Sequence, residues 1–271
     1  MAILKVDKRL CKSCGTCAEV CGLGIIKMGT EDLPIISLPD ACCACGHCVA
    51  SCPNAALDND KAPLINQKTL HNFPVIDSDT AADFMRSRRS VRSYERVSVP
   101  RESILKLLEI ARYSPSGHNS QGLSYTVIDN PEILKKISET TIEWLEGLLK
   151  ANVPWVIGLR SIIDTYRNTG TDTILRGAPC LIAAIAPVSH GMAQDNAKFS
   201  LEYVELYATS LGMGTCWAGF VQLCAGARYQ PIMELLNIKE DTAVVGALLA
   251  GYPKNIYKRL VDRNPLQVDW I

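Results

Sequence analysis

Apolar positions along this chain recur with two different periods, and the changes of period mark out its elements. Ile104, Leu107, Leu108 and Ala111 follow three- and four-residue steps, which predicts a helix with Pro100 in its first turn and Ser98 as its cap. A helix before it is expected from a Ser78 or Asp79 cap, carrying Ala81, Phe84 and Met85 inward and arriving at Arg88. Two longer helical patterns follow, over residues 131–150 and 196–211. The second places Ala197, Leu201, Val204, Ala208 and Leu211 on one face and further apolar residues around it, as in a helix central to a domain or a dimer. Runs at 124–128, 181–186 and 242–250 read as strands, the last two buried, while 154–176 has no legible period. Helices and strands mixed in this order predict an α+β sandwich rather than a regular parallel βαβ series.

The first 60 residues carry cysteine in place of such patterns. Nine of the twelve cysteines fall between Cys11 and Cys52, leaving Cys180, Cys216 and Cys224 for the rest of the 271 residues. That clustering divides the length into a small unit and a larger one: a domain over 1–60, a linker over 61–79 punctuated by Pro63, Asn66, Asn72, Pro74 and Asp77, and a domain over 80–271. Balanced charge, 28 basic against 28 acidic residues, excludes a general nucleic-acid binder, and 48% hydrophobic content excludes disorder. The apolar run over 178–187 is far short of a membrane span, and residues 1–7 lack the apolar core of a signal peptide, so a cytoplasmic protein away from membranes is expected. Charge also separates the parts. Residues 1–60 hold five basic and seven acidic side chains, leaving 23 against 21 for the remainder.

The cysteines form an internal repeat. Cys11, Cys14, Cys17 and Cys21 recur 31 residues later as Cys42, Cys45, Cys48 and Cys52, each set spaced C-x2-C-x2-C-x3-C, with Pro53 after the second. In a reducing compartment such thiols are read as metal ligands before disulfides. Three thiolates two residues apart can wrap one face of an iron–sulfur cubane, and small neighbours such as Gly15, Ala44 and Gly46 let backbone N–H groups approach inorganic sulfide. Two structural zinc sites are the alternative, although zinc knuckles pair C-x2-C ligands across longer gaps. The run resembles that of bacterial two-cluster ferredoxins, in which the fourth cysteine serves the other cluster. The resemblance implies one 4Fe-4S cluster on Cys11, Cys14, Cys17 and Cys52 and another on Cys42, Cys45, Cys48 and Cys21. Cys43 is then a non-ligand, and Gly22 departs from the proline usual after the fourth cysteine.

Three constellations in the larger part carry chemistry. Arg88, Arg89, Ser90 and Arg92 can give a phosphate several charge-assisted hydrogen bonds, though a solvated basic face would look the same. The loop Pro115, Ser116, Gly117, His118, Asn119, Ser120 and Gln121 offers amides that both donate and accept, as a flavin pyrimidine edge requires. The third runs from Gly212 through Gly214, Cys216 and Trp217 to Gly219, small residues on which a flat ring can lie; no P-loop is present. His118 and His47 read equally as solvated imidazoles, and Cys216, Cys180 and Cys224 as buried apolar thiols.

Together, in this order, these segments resemble the FMN-dependent nitroreductase family, along with Gly177-Ala178-Pro179 before a strand and the tail segments Gly251-Tyr252-Pro253 and Arg263-Asn264-Pro265. With the cysteine repeat the chain is similar to ferredoxin–nitroreductase fusions. The resemblance implies a dimeric nitroreductase-like α/β sandwich preceded by a small ferredoxin-like domain with two 4Fe-4S clusters. It implies that FMN is held by Arg88, Arg89, Ser90, Arg92 and Arg263 and its ring by Asn119, Gln121, Cys216, Trp217 and Gly219. Pro115, Ser116 and Gly117 would approach the flavin of the partner in a homodimer. Gly122 stands where many relatives have Pro.

Clusters move electrons singly, and a flavin can deliver two with a proton. The expected activity is therefore FMN-dependent reduction of a small electrophile, a nitroaromatic, quinone or activated alkene. Reduced ferredoxin or a similar low-potential partner would feed the clusters, and no side chain need act as nucleophile. An electron carrier or redox sensor without its own substrate, and a flavin oxidase or dehydrogenase acting on a heterocycle, are the competing readings.

Overall fold

The computed structural model describes residues 3–271, and Met1 and Ala2, the start of the expected N-terminal domain and of its signal-free opening, lie outside the described residues. Two compact units are present: 3–75 together with Gly117–Ser120, and Ile76–Ser116 together with Gln121–Ile271. Among the described residues no helix is long and apolar enough to cross a membrane.

In the first unit the sequence repeat becomes a structural one. Strand β1 (Leu4–Val6) leads to a one-turn helix α1 (Thr16–Glu19) and strand β2 (Ile26–Met28); β3 (Pro34–Ile36), α2 (His47–Ala50) and β4 (Leu57–Asn59) repeat the order. The strands pair across the halves: β1 with β4, Val6 opposite Leu57, and β2 with β3, Ile26 opposite Ile36. Each helix opens from a left-handed glycine, Gly15 at φ 79° and Gly46 at φ 73°. That conformation penalises any Cβ, and at Gly46 a Cβ would also stand 3.2 Å from Gln67 Nε2. Leu4, Ile25, Ile26, Val49 and Leu57 close a small core around Cys17 and Cys48. The chain after β4 folds back on this core, because Asp58 Oδ1 accepts from Leu64 N–H at 2.8 Å, and the expected linker thus begins with ordered contacts.

The second unit is built on one antiparallel sheet in the order β5-β6-β8-β7: β5 (Ser124–Ile128), β6 (Cys180–Pro187), β8 (Thr242–Gly251) and β7 (Gly214–Trp217). Its two central strands are apolar throughout since helices cover both faces. Cys180, Ile182 and Ala184 face α4 (Arg101–Ala111) and α8 (Ala193–Ser210). Leu181 and Ala183 face α5 (Pro131–Lys150), α9 (Gly219–Gly226) and α10 (Gln230–Leu235), with α6 (Pro154–Ile157) and α7 (Arg160–Thr169) joining that layer. The alternation slips once, where Ala184 pairs with Gly246 and Ile185 with Val244, leaving Val245 as a bulge. Helix α8 is the expected central helix, with Ala197, Leu201, Val204 and Ala208 fully buried.

Several expectations need correction. The helix before Arg88, α3 (Ser78–Ser87), is capped by Asp77, whose carboxylate accepts from Thr80 N–H at 2.9 Å; this aspartate, one residue before Ser78 and two before Asp79, reaches the free amides of the first turn. It buries none of its residues, and Met85 is exposed. Helix α4 starts after Pro100, without a Ser98 cap. The 154–176 stretch contains α6 and α7, each too short to show a period.

Cys180 and Cys224 are fully enclosed, and burial pushes both thiols up to about 12. Alkylation of the native protein at pH 8, read by mass spectrometry, should therefore label neither. The sheet also makes one steric demand. A Cβ at Gly214 would lie 2.3 Å from Val91 Cγ2 and 3.0 Å from Pro253 Cγ. Gly214→Ala should accordingly destabilise the protein by about 1–3 kcal/mol in thermal or denaturant unfolding.

Candidate functional site

Thiol groups of the N-terminal unit gather in two places, Cys11, Cys14, Cys17 and Cys52 in one and Cys42, Cys45 and Cys48 in the other. Cys11, Cys14, Cys17 and Cys52, the set expected for one cluster, line a single cavity with Met28, Pro34 and Leu57. Burial raises the Cys17 thiol, and the nearby Cys14 and Cys52 raise it further. Ala56 N–H donates to Cys52 Sγ at 3.3 Å, the kind of N–H···S bond that stabilises a thiolate. In the other set burial raises Cys48, with Cys45 and Cys42 adding to it, and Cys45 feels Cys43 and Cys42 in turn. Asn59 Nδ2 donates to Cys42 Sγ at 3.7 Å. At Cys21 burial acts upward, yet the backbone amides of Ile26, Ile25, Leu23 and Gly24 hold the thiol below its ordinary value. Among the described residues no three His, Cys, Asp or Glu side chains stand close enough to hold a single ion. A cubane spreads its ligands more widely, and amide-lined thiols around a shared cavity fit such a cluster.

In the larger unit the scattered motifs converge on β7. Ser90 and Thr215 form a parallel bridge, and Val91 N–H donates to Thr215 O at 2.7 Å, so the arginine segment runs beside the Gly214–Trp217 strand. Tyr94 bridges to Pro253. A Cβ at Gly251 would meet Pro179 Cδ at 2.6 Å and Tyr94 Cδ1 at 2.8 Å, which packs the Gly177–Pro179 turn against the Gly251–Pro253 segment. Asp172 fixes that turn: its carboxylate accepts from the N–H groups of Ile174, Leu175 and Gly177 and from the Ser138 hydroxyl.

The arginines differ in their partners. Arg88 Nη1 lies 3.5 Å from Glu205 Oε1 and its Nε 3.7 Å from Glu202 Oε1. Glu205 is buried and also accepts from Thr215 Oγ1 at 3.0 Å; burial raises its carboxyl, while Arg88 and Thr215 oppose that shift. Arg89 Nε is buried without a hydrogen-bond partner among the described residues, its guanidinium 6.0 Å above the Tyr257 ring. A buried, unpaired guanidinium N–H is costly by itself. An anionic group such as the phosphate of FMN would satisfy it, so these residues fit the expected cofactor. Arg92 is exposed on its outer side and, with Arg176, lies close enough to Cys216 to pull its thiol down against the dominant upward effect of burial. Trp217 is held by its Nε1–H donating to Gln222 Oε1 at 2.7 Å, and Gly219 opens α9.

The other expected residues lie elsewhere. Pro115 is exposed, Ser116 Oγ accepts from Gln121 N–H at 3.1 Å, and Gly117–Ser120 groups with the N-terminal unit. Asn119 Nδ2 donates to the carbonyls of Cys43 and Ala44, both at 3.1 Å. Arg263 sits in the exposed tail beside Asp262, and its hydrogen bonds go to that residue. Sequence reading missed Glu205, Tyr94 and Arg176. Glu205 had a visible signal, an acid four residues after Leu201 on the buried face of α8. Tyr94, whose hydroxyl is buried unpaired and raised chiefly by that burial, had none.

Comparison with known proteins follows the same division. The nitroreductase family model matches residues 85–252, and that of a 4Fe-4S dicluster domain matches residues 3–68. An Archaeoglobus fulgidus protein, carried under the provisional name NADH dehydrogenase/NAD(P)H nitroreductase, is 27% identical over 62% of this chain and 83% of its own length. Iodotyrosine deiodinase of Nematostella vectensis is 29% identical over 68% of this chain and 71% of that protein. Among solved structures, a nitroreductase with bound FMN from Bacteroides fragilis superposes with a TM-score of 0.56 at 22% identity, covering 70% of this chain and 98% of that one. An iodotyrosine deiodinase bound to FMN and 3-iodo-L-tyrosine gives 0.55 at 21% identity, covering 70% of this chain and 98% of its own. At these identities the structural likeness is one of fold. The match over 85–252 is the wider finding: this chain belongs to the nitroreductase family of oxidoreductases, with a 4Fe-4S dicluster domain ahead of it in the same polypeptide.

Proposed function

We propose that this protein is an FMN-dependent reductase whose two 4Fe-4S clusters pass single electrons from a low-potential donor, such as reduced ferredoxin, to the flavin for reduction of a small electrophile. A nitroaromatic, a quinone or an activated alkene fits that role. The observation that carries the reading is the union, in one chain, of a dicluster domain over 3–68 with a nitroreductase domain over 85–252. Cys11, Cys14, Cys17 and Cys52 would hold one cluster, and Cys42, Cys45, Cys48 and Cys21 the other. When bound, the clusters supply one-electron transfer and FMN supplies its conversion to a two-electron, proton-coupled reduction.

The chain's own part is binding and orientation. Arg89 offers its buried Nε–H to the phosphate, where a charge-assisted bond is stronger than in water. Ser90 and Arg92 extend that contact along the same segment. Glu205 and Glu202 keep Arg88 in a fixed direction, so its charge bears on the phosphate with little freedom to swing away. The Gly214–Trp217 strand gives the ring a flat backbone surface, and the enclosed Cys216 keeps that surface apolar. Gln121 would hold the ring edge. Pro115 and Ser116 would complete the site of a second copy, making the working unit a homodimer. The thiolates that clusters need suit the reducing cytoplasm.

A second reading is favoured by the deiodinase relatives. There the acceptor would be a halogenated aromatic: the carbon–halogen bond breaks, two electrons and one proton enter, and halide leaves.

Protein purified without oxygen should contain about eight irons, about eight sulfides and one FMN per chain; four irons, or stoichiometric zinc, would contradict the cluster assignment. Arg89→Ala should weaken FMN binding about tenfold or more, the worth of one lost charge-assisted hydrogen bond, while leaving the iron content intact. Flavin content measured by absorbance after gel filtration decides this. Turnover of nitrobenzoate against iodotyrosine, with iodide release measured directly, separates the two substrate classes.

A further inference from the structure

Asn119 stands apart from the other residues of its loop. The amino group of asparagine donates and its carbonyl only accepts, and Asn119 Nδ2 donates to two backbone carbonyls, those of Cys43 and Ala44 at 3.1 Å each. Such a pair can be met only by the NH2 side, so the amide orientation is fixed by its surroundings. The two carbonyls lie inside the C-x2-C loop that joins Cys42 to Cys45. That loop is under backbone constraint already: Ala44 takes φ 57°, left-handed for a residue with a Cβ, just before the left-handed Gly46. The donor comes from a constrained segment too, with His118 and Asn119 both at φ 52°. Gly117–Ser120 groups with the N-terminal unit even though the residues on either side of it in sequence do not.

We propose that Asn119 is a positioning residue of the iron–sulfur centre held by Cys42, Cys45 and Cys48: its amide ties the Cys43 and Ala44 carbonyls together and so sets the shape and the electrostatics of that ligand loop. The proposal rests on the cluster assignment made above. Two effects follow from the geometry. A carbonyl engaged by an N–H donor is less free to turn, which adds a tether to a loop whose left-handed Ala44 already has its counterpart in Ser13 of the first repeat, at φ 53°. The positive end of the amide dipole also points at the loop beside an anionic cluster, and donor groups placed there favour the more negative, reduced state. In the first repeat the corresponding loop residues are Lys12 and Ser13. The Asn119 contact therefore makes the two halves of a duplicated domain inequivalent and marks one of the two centres for a different potential.

The test uses the full-length holoprotein and two variants, Asn119→Ala, which removes the amide, and Asn119→Asp, which keeps its shape without the donor. Iron, sulfide and FMN are counted first, then each centre is titrated potentiometrically with its reduced state followed by electron paramagnetic resonance. In both variants one centre should become harder to reduce, its reduced-to-oxidised ratio at the wild-type midpoint falling about threefold or more; the second centre should keep its midpoint. The larger shift is expected for Asn119→Asp, whose carboxylate adds a negative charge. Unchanged midpoints in both variants at full iron content would overturn the proposal, as would equal shifts of both centres, or loss of FMN with the clusters unaffected. Wild-type protein with fewer than about eight irons would instead overturn the cluster assignment beneath it.

Discussion

The larger unit hangs on one short contact, the Val91 N–H donating to Thr215 O across the side of Gly214. A residue with any side chain at 214 would push Val91 away, and the segment from Arg88 to Arg92 would no longer run along the sheet. Because it does, a guanidinium with a buried, unpaired Nε and a carboxyl anchored in α8 come to the same edge strand. The same demand for close approach recurs at Gly251, where Pro179 and Tyr94 fill the space a Cβ would need. Packing at these two glycines, together with the Val91–Thr215 bond, brings five sequence segments far apart in the chain to one place.

The N-terminal unit solves a different problem. A domain of around seventy residues buries little apolar surface and is marginal on that alone, and among the described residues its core cluster has seven buried members, two of them cysteines. Interleaved pairing of β1 with β4 and β2 with β3 makes each half depend on the other. Cys17 and Cys48 are buried in that small core, and in the function proposed above a bound cluster would take the role that a larger core plays elsewhere.

What could be read from sequence was whatever had a period or a fixed spacing. Helix α5 and strand β5 have the ends their patterns announced, and β6, β8 and α8 differ from expectation by a few residues, because apolar runs covered on both faces leave a plain signature. The cysteine spacing carried the dicluster domain. Legibility failed where three-dimensional neighbours decide. Strand β7 is four residues among glycines and looks like a loop; α9 and α10 are short; Met85 has a helical period and yet is exposed. The loop around Asn119 shows the limit most clearly. The resemblance implies flavin contacts for its amides; that the Asn119 amide donates to carbonyls between Cys42 and Cys45, a partner 75 residues away, is something no local pattern encodes.

The task proposed for the N-terminal unit is to deliver single electrons to a flavin held by the larger unit. Anaerobic stopped-flow bleaching of the flavin by reduced ferredoxin, compared between the intact protein and a Cys14→Ser, Cys45→Ser double variant that still holds FMN, tests that task directly. The account expects fast bleaching in the intact protein and loss of it in the variant. Equal rates in the two proteins would contradict it, since electrons would then reach the flavin without the clusters.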